Sequence, residues 1–257
     1  MTTAMSVQGP LARGVADLRL GLAAMRGFSV DDPDWTAAAG NGRPAAGRIG
    51  IAQDYRADAR HPHVSEAMSR AESAAAEAGI EVVPVALPET DRIARLWGQL
   101  IFTEWSVMSQ PDVVTHGSPE AVRWLDQFAA HFGTLDLEGY IKGVAERTAL
   151  QRAWGHLFAS IDALILPTSL VPPFETDLDF RAPDRAAEII LAQEPLYLVN
   201  FLGLPAVSIP THVADGLPSG IQIVGPMHDD DAVLDIAERM ERVLGGVLDR
   251  MPPPPAA

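Results

Sequence analysis

The chain has 257 residues, 47% hydrophobic and 21% charged, a balance that builds a packed core rather than a disordered chain. Its formal charge of -15 argues against nucleic acid and anionic membrane as partners and serves solubility instead. With no cysteine there is no disulfide, thiolate nucleophile or Cys-ligated metal.

No apolar run approaches the roughly 20 residues that span a bilayer. Met1–Gly14 lacks a basic stretch followed by an apolar one, so no secretory signal is read and a cytoplasmic setting is expected. A first helix is predicted from near Leu11, with Leu11, Val15, Leu18 and Leu22 at helical spacing. Ser29–Gly47 has no period and reads as a surface loop. Arg48–Ala52 is a short strand, His61–Ala78 a helix opened by Pro62 and stopped by Gly79, and Ile80–Val85 the next strand. Together they form a βαβ unit.

Asp91–Met108 carries Ile93, Leu96, Trp97, Leu100 and Ile101 as a helical stripe. Ser118-Pro119-Glu120 opens a further helix that Gly133 ends, and Asp136–Ile161 is a long helix leading into a buried strand, Ala163–Leu166. Ser169–Pro183, with its prolines and scattered acids, is a loop long enough to form a mouth. A helix from Asp184, divided at Pro195, returns to Asn200. Ala206–Thr211 and Ile221–Val224 read as strands buried on both faces, separated by turn material at Ala214–Ser219. Asp229–Asp231 then opens an amphipathic helix. The expected architecture is α/β: one unit over 5–246 with a mixed sheet of about five strands flanked by helices, and a Pro-rich disordered tail over 247–257.

Several segments carry a family pattern. Asn200, Gly203, Pro205 and Ala206 fit N-x-x-G-x-P-A; Gly216, Leu217, Pro218 and Gly220 fit G-L-P-x-G; Gly220, Gln222, Val224, Gly225 and Pro226 fit G-x-Q-x-V-G-P. Asp162, Leu164, Pro167 and Thr168 fit D-x-L-x-x-P-T, and Gly9-Pro10-Leu11-Ala12-Arg13 with Val15, Asp17 and Leu18 fits a segment just after the nucleophile region. In these segments, from about Met5 to Gly246, the chain resembles the C-terminal half of amidase signature enzymes. The resemblance implies hydrolysis of a carboxylic amide without metal or organic cofactor, through a serine nucleophile, a second serine and a lysine base.

Those groups belong to the family's other half, and this sequence has no Gly-Gly-Ser. Its one lysine, Lys142, lies four residues from both Glu138 and Glu146, the spacing of surface ion pairs. No catalytic residue is therefore assigned. Gly216–Gly220 is no hydrolase elbow, its serine being one place late. His61 and His63, with Asp54 and Asp58 upstream, read as helix-entry residues rather than a metal site. Glu175, Asp177 and Asp179 read as solvated loop acids, and Gly40-Asn41-Gly42 as a turn. The substrate-binding candidates are Thr168, then Ser169, each of which also serves as a strand terminator.

Three readings follow: a truncated amidase form, inactive alone; a non-catalytic module that binds or regulates by pairing with a separate catalytic chain; or a gene fragment whose missing residues lie upstream. The implied partners are a small-molecule amide once the other half is supplied, and a protein partner or a second copy.

Overall fold

The structure, a computed structural model, describes residues 2–31, 35, 47–182 and 185–247. Helices α1 (Thr2–Met5) and α2 (Val15–Met25) precede strand β1 (Arg48–Ile51), helix α3 (Pro62–Glu77) and strand β2 (Glu81–Pro84). Helices α4 (Thr90–Met108), α5 (Gln110–His116), α6 (Pro119–Phe132) and α7 (Leu137–Phe158) lead into strand β3 (Ala163–Pro167). Then come α8 (Leu178–Arg181), α9 (Ala186–Ala192), α10 (Glu194–Leu202), strands β4 (Ala206–Ala214) and β5 (Leu217–Val224), and α11 (Asp230–Leu244). The loop read at Ser29–Gly47 falls mostly outside the described residues, as does the tail beyond Val247, which is itself buried.

Caps predicted from the sequence are present. The Ser118 hydroxyl accepts from Ala121 N at 3.2 Å, and the Asp136 carboxylate from Gly139 N at 2.7 Å, each satisfying an orphan amide of the first turn. Pro195 sits at the start of α10 and divides it from α9.

The five strands lie in the order β2-β1-β3-β5-β4. β2, β1 and β3 are parallel; β3 pairs with β5, and β5 with β4, antiparallel. The sheet is mixed and α/β, as the sequence implied. One face meets α2, α3 and α11 through Ile49, Ile51, Ile165, Ile221 and Ile223. The other meets α4, α7 and α10 through Leu164, Leu166 and Val224. All five residues of β3 are buried, which is why its apolar run is continuous.

Three expectations change. Leu11 is fully exposed and α2 starts only at Val15, whose amide donates to Glu241 of α11 at 3.1 Å. Helices α3 and α11 cover one face of β4, so Val207 and Ile209 are buried while Ala206 and Ser208 face outward, in place of burial on both faces. The turn before β5 is only Asp215-Gly216, with φ of 51° and 78°, and Leu217–Ser219 is paired. Two successive positive φ values suit a two-residue hairpin whose twist matches its strands.

Within this hairpin the register shifts between Pro210 and His212, where Pro210 has no amide to donate. Gly220 faces the shift so closely that a Cβ there would sit 2.3 Å from the Ile209 carbonyl oxygen. Gly220→Ala is expected to lower stability by about 1–3 kcal/mol through that overpacking, read as a lower urea midpoint at unchanged slope. His212, beside the shift, is buried with its Nε2 3.5 Å from Glu66, too far for a hydrogen bond. Burial pushes its pKa down from 6.5; Glu66 pulls it up, Arg70 and His63 add to the lowering, and burial prevails. The unfolded chain therefore takes up a proton that the folded chain refuses, and stability should fall as pH drops below about 6.5. Thermal melts at stepped pH check this, and His212→Gln should flatten that part of the profile.

Candidate functional site

The connection from β1 to β2 runs through α3, and that from β2 back to β3 through α4–α7, on opposite faces of the sheet. The chain leaves β1 toward α3 on one face and its neighbour β3 toward α10 on the other, and connections that diverge in this way open a crevice between the carboxyl ends of β1 and β3. The residues after β1, Ala52–His61, and those after β3, Thr168–Leu170, meet there. Ala52 N donates to Ile165 O at 3.2 Å, and His61 N to Leu170 O at 2.9 Å; Leu170 N in turn reaches Ala192 O at 2.8 Å.

Both sequence-predicted site residues stand at this point. Thr168 is half-buried, and its Oγ1, closed to solvent, has no hydrogen-bond partner among the described residues. The Ser169 hydroxyl accepts from Val171 N at 3.2 Å and so shapes the turn. Gln222, from the centre of β5, donates to Pro167 O at 3.1 Å and Pro195 O at 3.3 Å. A buried amide thereby locks the end of β3 to the start of α10.

The charged groups were not found by sequence reasoning. Glu194, 7% exposed at the start of α10, accepts from Tyr55 Oη at 2.7 Å, Arg56 Nε at 2.8 Å and Arg56 Nη2 at 3.0 Å. Burial, then Glu194, pushes the Tyr55 phenol upward, so it stays a donor. Arg56 stands at φ 51°, and its Nη2 donates to Asp91 as well. Arg60 donates to Gln53 O while its Nε and Nη1 are closed to solvent without partners, and burial pulls its pKa down. A cavity of about 430 Å³ opens beside Tyr55 and Arg56, floored by the ends of β1 and β2.

Other candidates fall into structural roles. His61 caps α3, its Nδ1 accepting from His63 N at 3.2 Å, and His63 Nε2 lies 3.3 Å from Asp215. No group of three metal-ligating side chains occurs among the described residues. Glu175 pairs with Arg181 at 3.4 Å. Lys142 pairs with Glu138 on the exposed face of α7, and Glu146 instead binds Arg92. Asp162, the first residue of the D-x-L-x-x-P-T segment, accepts from Gly47 N and Arg48 N at 3.0 Å each and so fixes the entry of β1.

A family model described as Amidase matches residues 1–234. An indoleacetamide hydrolase of Bradyrhizobium japonicum is 29% identical over 96% of this chain and 54% of its own length. A glutamyl-tRNA(Gln) amidotransferase subunit from Novosphingobium aromaticivorans is 28% identical over 91% and 53%. A crystal structure of an amidase superposes with a TM-score of 0.70 at 26% identity, over 92% of this chain and 52% of that one. Fatty acid amide hydrolase shares the fold, with a TM-score of 0.73 at 15% identity over 93% and 48%. The chain spans about half the length of the curated relatives it matches. With its mixed sheet and its three late motifs in place, it belongs to the amidase signature family.

Proposed function

We propose that these residues, as one α/β unit over 5–246, form the substrate-holding part of a carboxylic-amide hydrolase and do not turn over amides alone. The observation that carries the reading is the place of Lys142: the sequence's one lysine is exposed and ion-paired with Glu138, so it does not supply the buried base that the family's reaction uses. Thr168 and Ser169 line the substrate pocket in this proposal. In this proposal the Thr168 hydroxyl, closed to solvent and without a partner among the described residues, reaches a substrate amide only once the other half completes the pocket, whereas Ser169 contributes mainly through the turn it shapes. Neither a metal nor an organic cofactor enters the scheme. A cytoplasmic setting belongs to the same proposal, in keeping with a cysteine-free chain whose described helices include none long and apolar enough to cross a membrane.

A second reading is a module completed by a separate catalytic chain. It is favoured by the open edge of β4 and by the exposure of Val7, Leu11 and Phe28. Both readings require the serines and the lysine from residues outside these 257.

Indoleacetamide, the substrate in the Bradyrhizobium relative's name, is the first amide to test. The purified chain should release no ammonia above background; turnover that survives Lys142→Ala would refute the proposal. Co-expression with the part of that relative which this chain does not cover should restore activity. In the restored enzyme Thr168→Val is expected to lower kcat/KM by about tenfold, the value of one lost hydrogen bond to substrate. Ser169→Ala should cost less. Equal activity of the Thr168 variant would remove that residue from the pocket.

A further inference from the structure

The β4–β5 hairpin is held by different means along its length. In its inner part the buried residues are apolar, and Val207, Ile209, Ile221 and Ile223 belong to the core under α3 and α11. Beyond the register shift between Pro210 and His212 the buried residues are Thr211, His212 and Ser219, all of them polar. Neither Pro210 nor Pro218 has an amide to give the ladder, and Asp215, Gly216 and Leu217 at the turn are exposed. A segment with few buried apolar contacts and a thinned ladder opens at a lower free energy than the core it joins.

Side-chain hydrogen bonds keep this outer part closed. Thr211 Oγ1 donates to Ser219 O at 3.2 Å, and Ser219 Oγ donates to His63 O on α3 at 3.3 Å. The Thr211 hydroxyl has a single proton, directed at Ser219, so its 3.1 Å contact with His212 Nδ1 requires the imidazole proton on Nδ1. His212 Nε2 is then a lone pair, closed to solvent and without a hydrogen-bond partner among the described residues. A Glu66 carboxylate oxygen lies 3.5 Å away, acceptor facing acceptor, and that carboxylate accepts from Arg70 Nε at 2.8 Å.

A proton on Nε2 would place a cation in this buried position. The charged groups that act on it all come from α3: Glu66 favours the charge, Arg70 and His63 oppose it, and burial opposes it most. β5 sets Ser219 opposite His212, and α11, the other helix on β4, brings no charge to bear on it among the described residues. His63 itself lies 3.3 Å from Asp215 of the turn, an exposed contact that water screens. The closed hairpin therefore excludes a proton that the opened one accepts.

We propose that the outer hairpin, from Thr211 to Ser219, is an acid-released flap: protonation of His212 at Nε2 holds it open while the rest of the sheet stays folded. The flap rests on the start of α3, where His61 N donates to Leu170 O at 2.9 Å, so its release frees the helix end that borders the crevice. The proposal does not depend on amide turnover by this chain. Hydrogen exchange of the 257-residue chain, followed by mass spectrometry and corrected for the intrinsic pH dependence of exchange, tests it. From about pH 7 to about pH 5, protection of amides 211–219 should fall about tenfold. At the lower pH it should lie at least about tenfold below that of Ala163–Leu166, and low urea should speed exchange of those strand amides but not of the flap. His212→Gln should remove the pH dependence of the flap. Glu66→Gln, which leaves Arg70 and His63 to oppose the charge, should keep the fall at least as large. Flap protection unchanged down to about pH 5 overturns the proposal, because Glu66 has then left Arg70 for the imidazolium in a hairpin that stays closed. It is also overturned by flap amides that share the urea dependence of Ala163–Leu166, which makes the opening global, or by a pH dependence that persists in His212→Gln.

Discussion

Everything in this chain is arranged about the burial of β3. A strand covered on both faces can hold only apolar side chains, and all its backbone groups must be paired by neighbouring strands. β3 meets that requirement with a parallel partner on one side and an antiparallel partner on the other. The sheet changes direction at this strand, and the helices on both faces are positioned by what Leu164, Ile165 and Leu166 need to contact. The crevice at its carboxyl end follows from the same arrangement, since the chain must leave a fully buried strand somewhere.

Where it leaves, polar groups become unavoidable, and the structure handles them in two ways. Glu194 is saturated: one carboxylate takes donors from Tyr55 and Arg56, so its charge is matched and held in one geometry. Removing Arg56 from this part-buried pair would leave the Glu194 carboxylate uncompensated, a larger loss than an exposed pair such as Lys142–Glu138 can contribute. Thr168 and Tyr197, by contrast, have hydroxyls without a hydrogen-bond partner among the described residues. Satisfied, fixed groups thus stand among unsatisfied ones, which is the distribution expected of a surface that holds ligands.

The fold was legible wherever local chemistry and burial agreed. Ala163–Leu166 could be read because an Asp, a continuous apolar run and a Pro-Thr stop coincide, and Ser118 and Asp136 announced their helices through caps. Helix α5 could not be read, because it is seven residues long and buries none of them, so it has no periodic apolar face to detect. The last residues of β4 lay beyond the strand read at Ala206–Thr211, because the Asp, Gly and Pro that follow read as turn material until the ladder with β5 is seen to run to Ala214. For the site, Thr168 was visible from its place after a buried strand. The Glu194 cluster was not, since Tyr55 lies 139 positions away and nothing in either segment marks the pairing.

The same Pro210 shift sets what can be added to the sheet. The outer edge of β4, unpaired among the described residues, is regular only over Ala206–Ile209, after which a missing amide and an irregular step interrupt the ladder. An incoming strand can therefore zip along about four residues before it loses register. That is too short a template for indiscriminate fibre-like stacking, which needs longer flat segments, yet enough for one strand anchored by contacts of its own. Length alone thus favours a neighbour that arrives already folded over a loose chain at this edge.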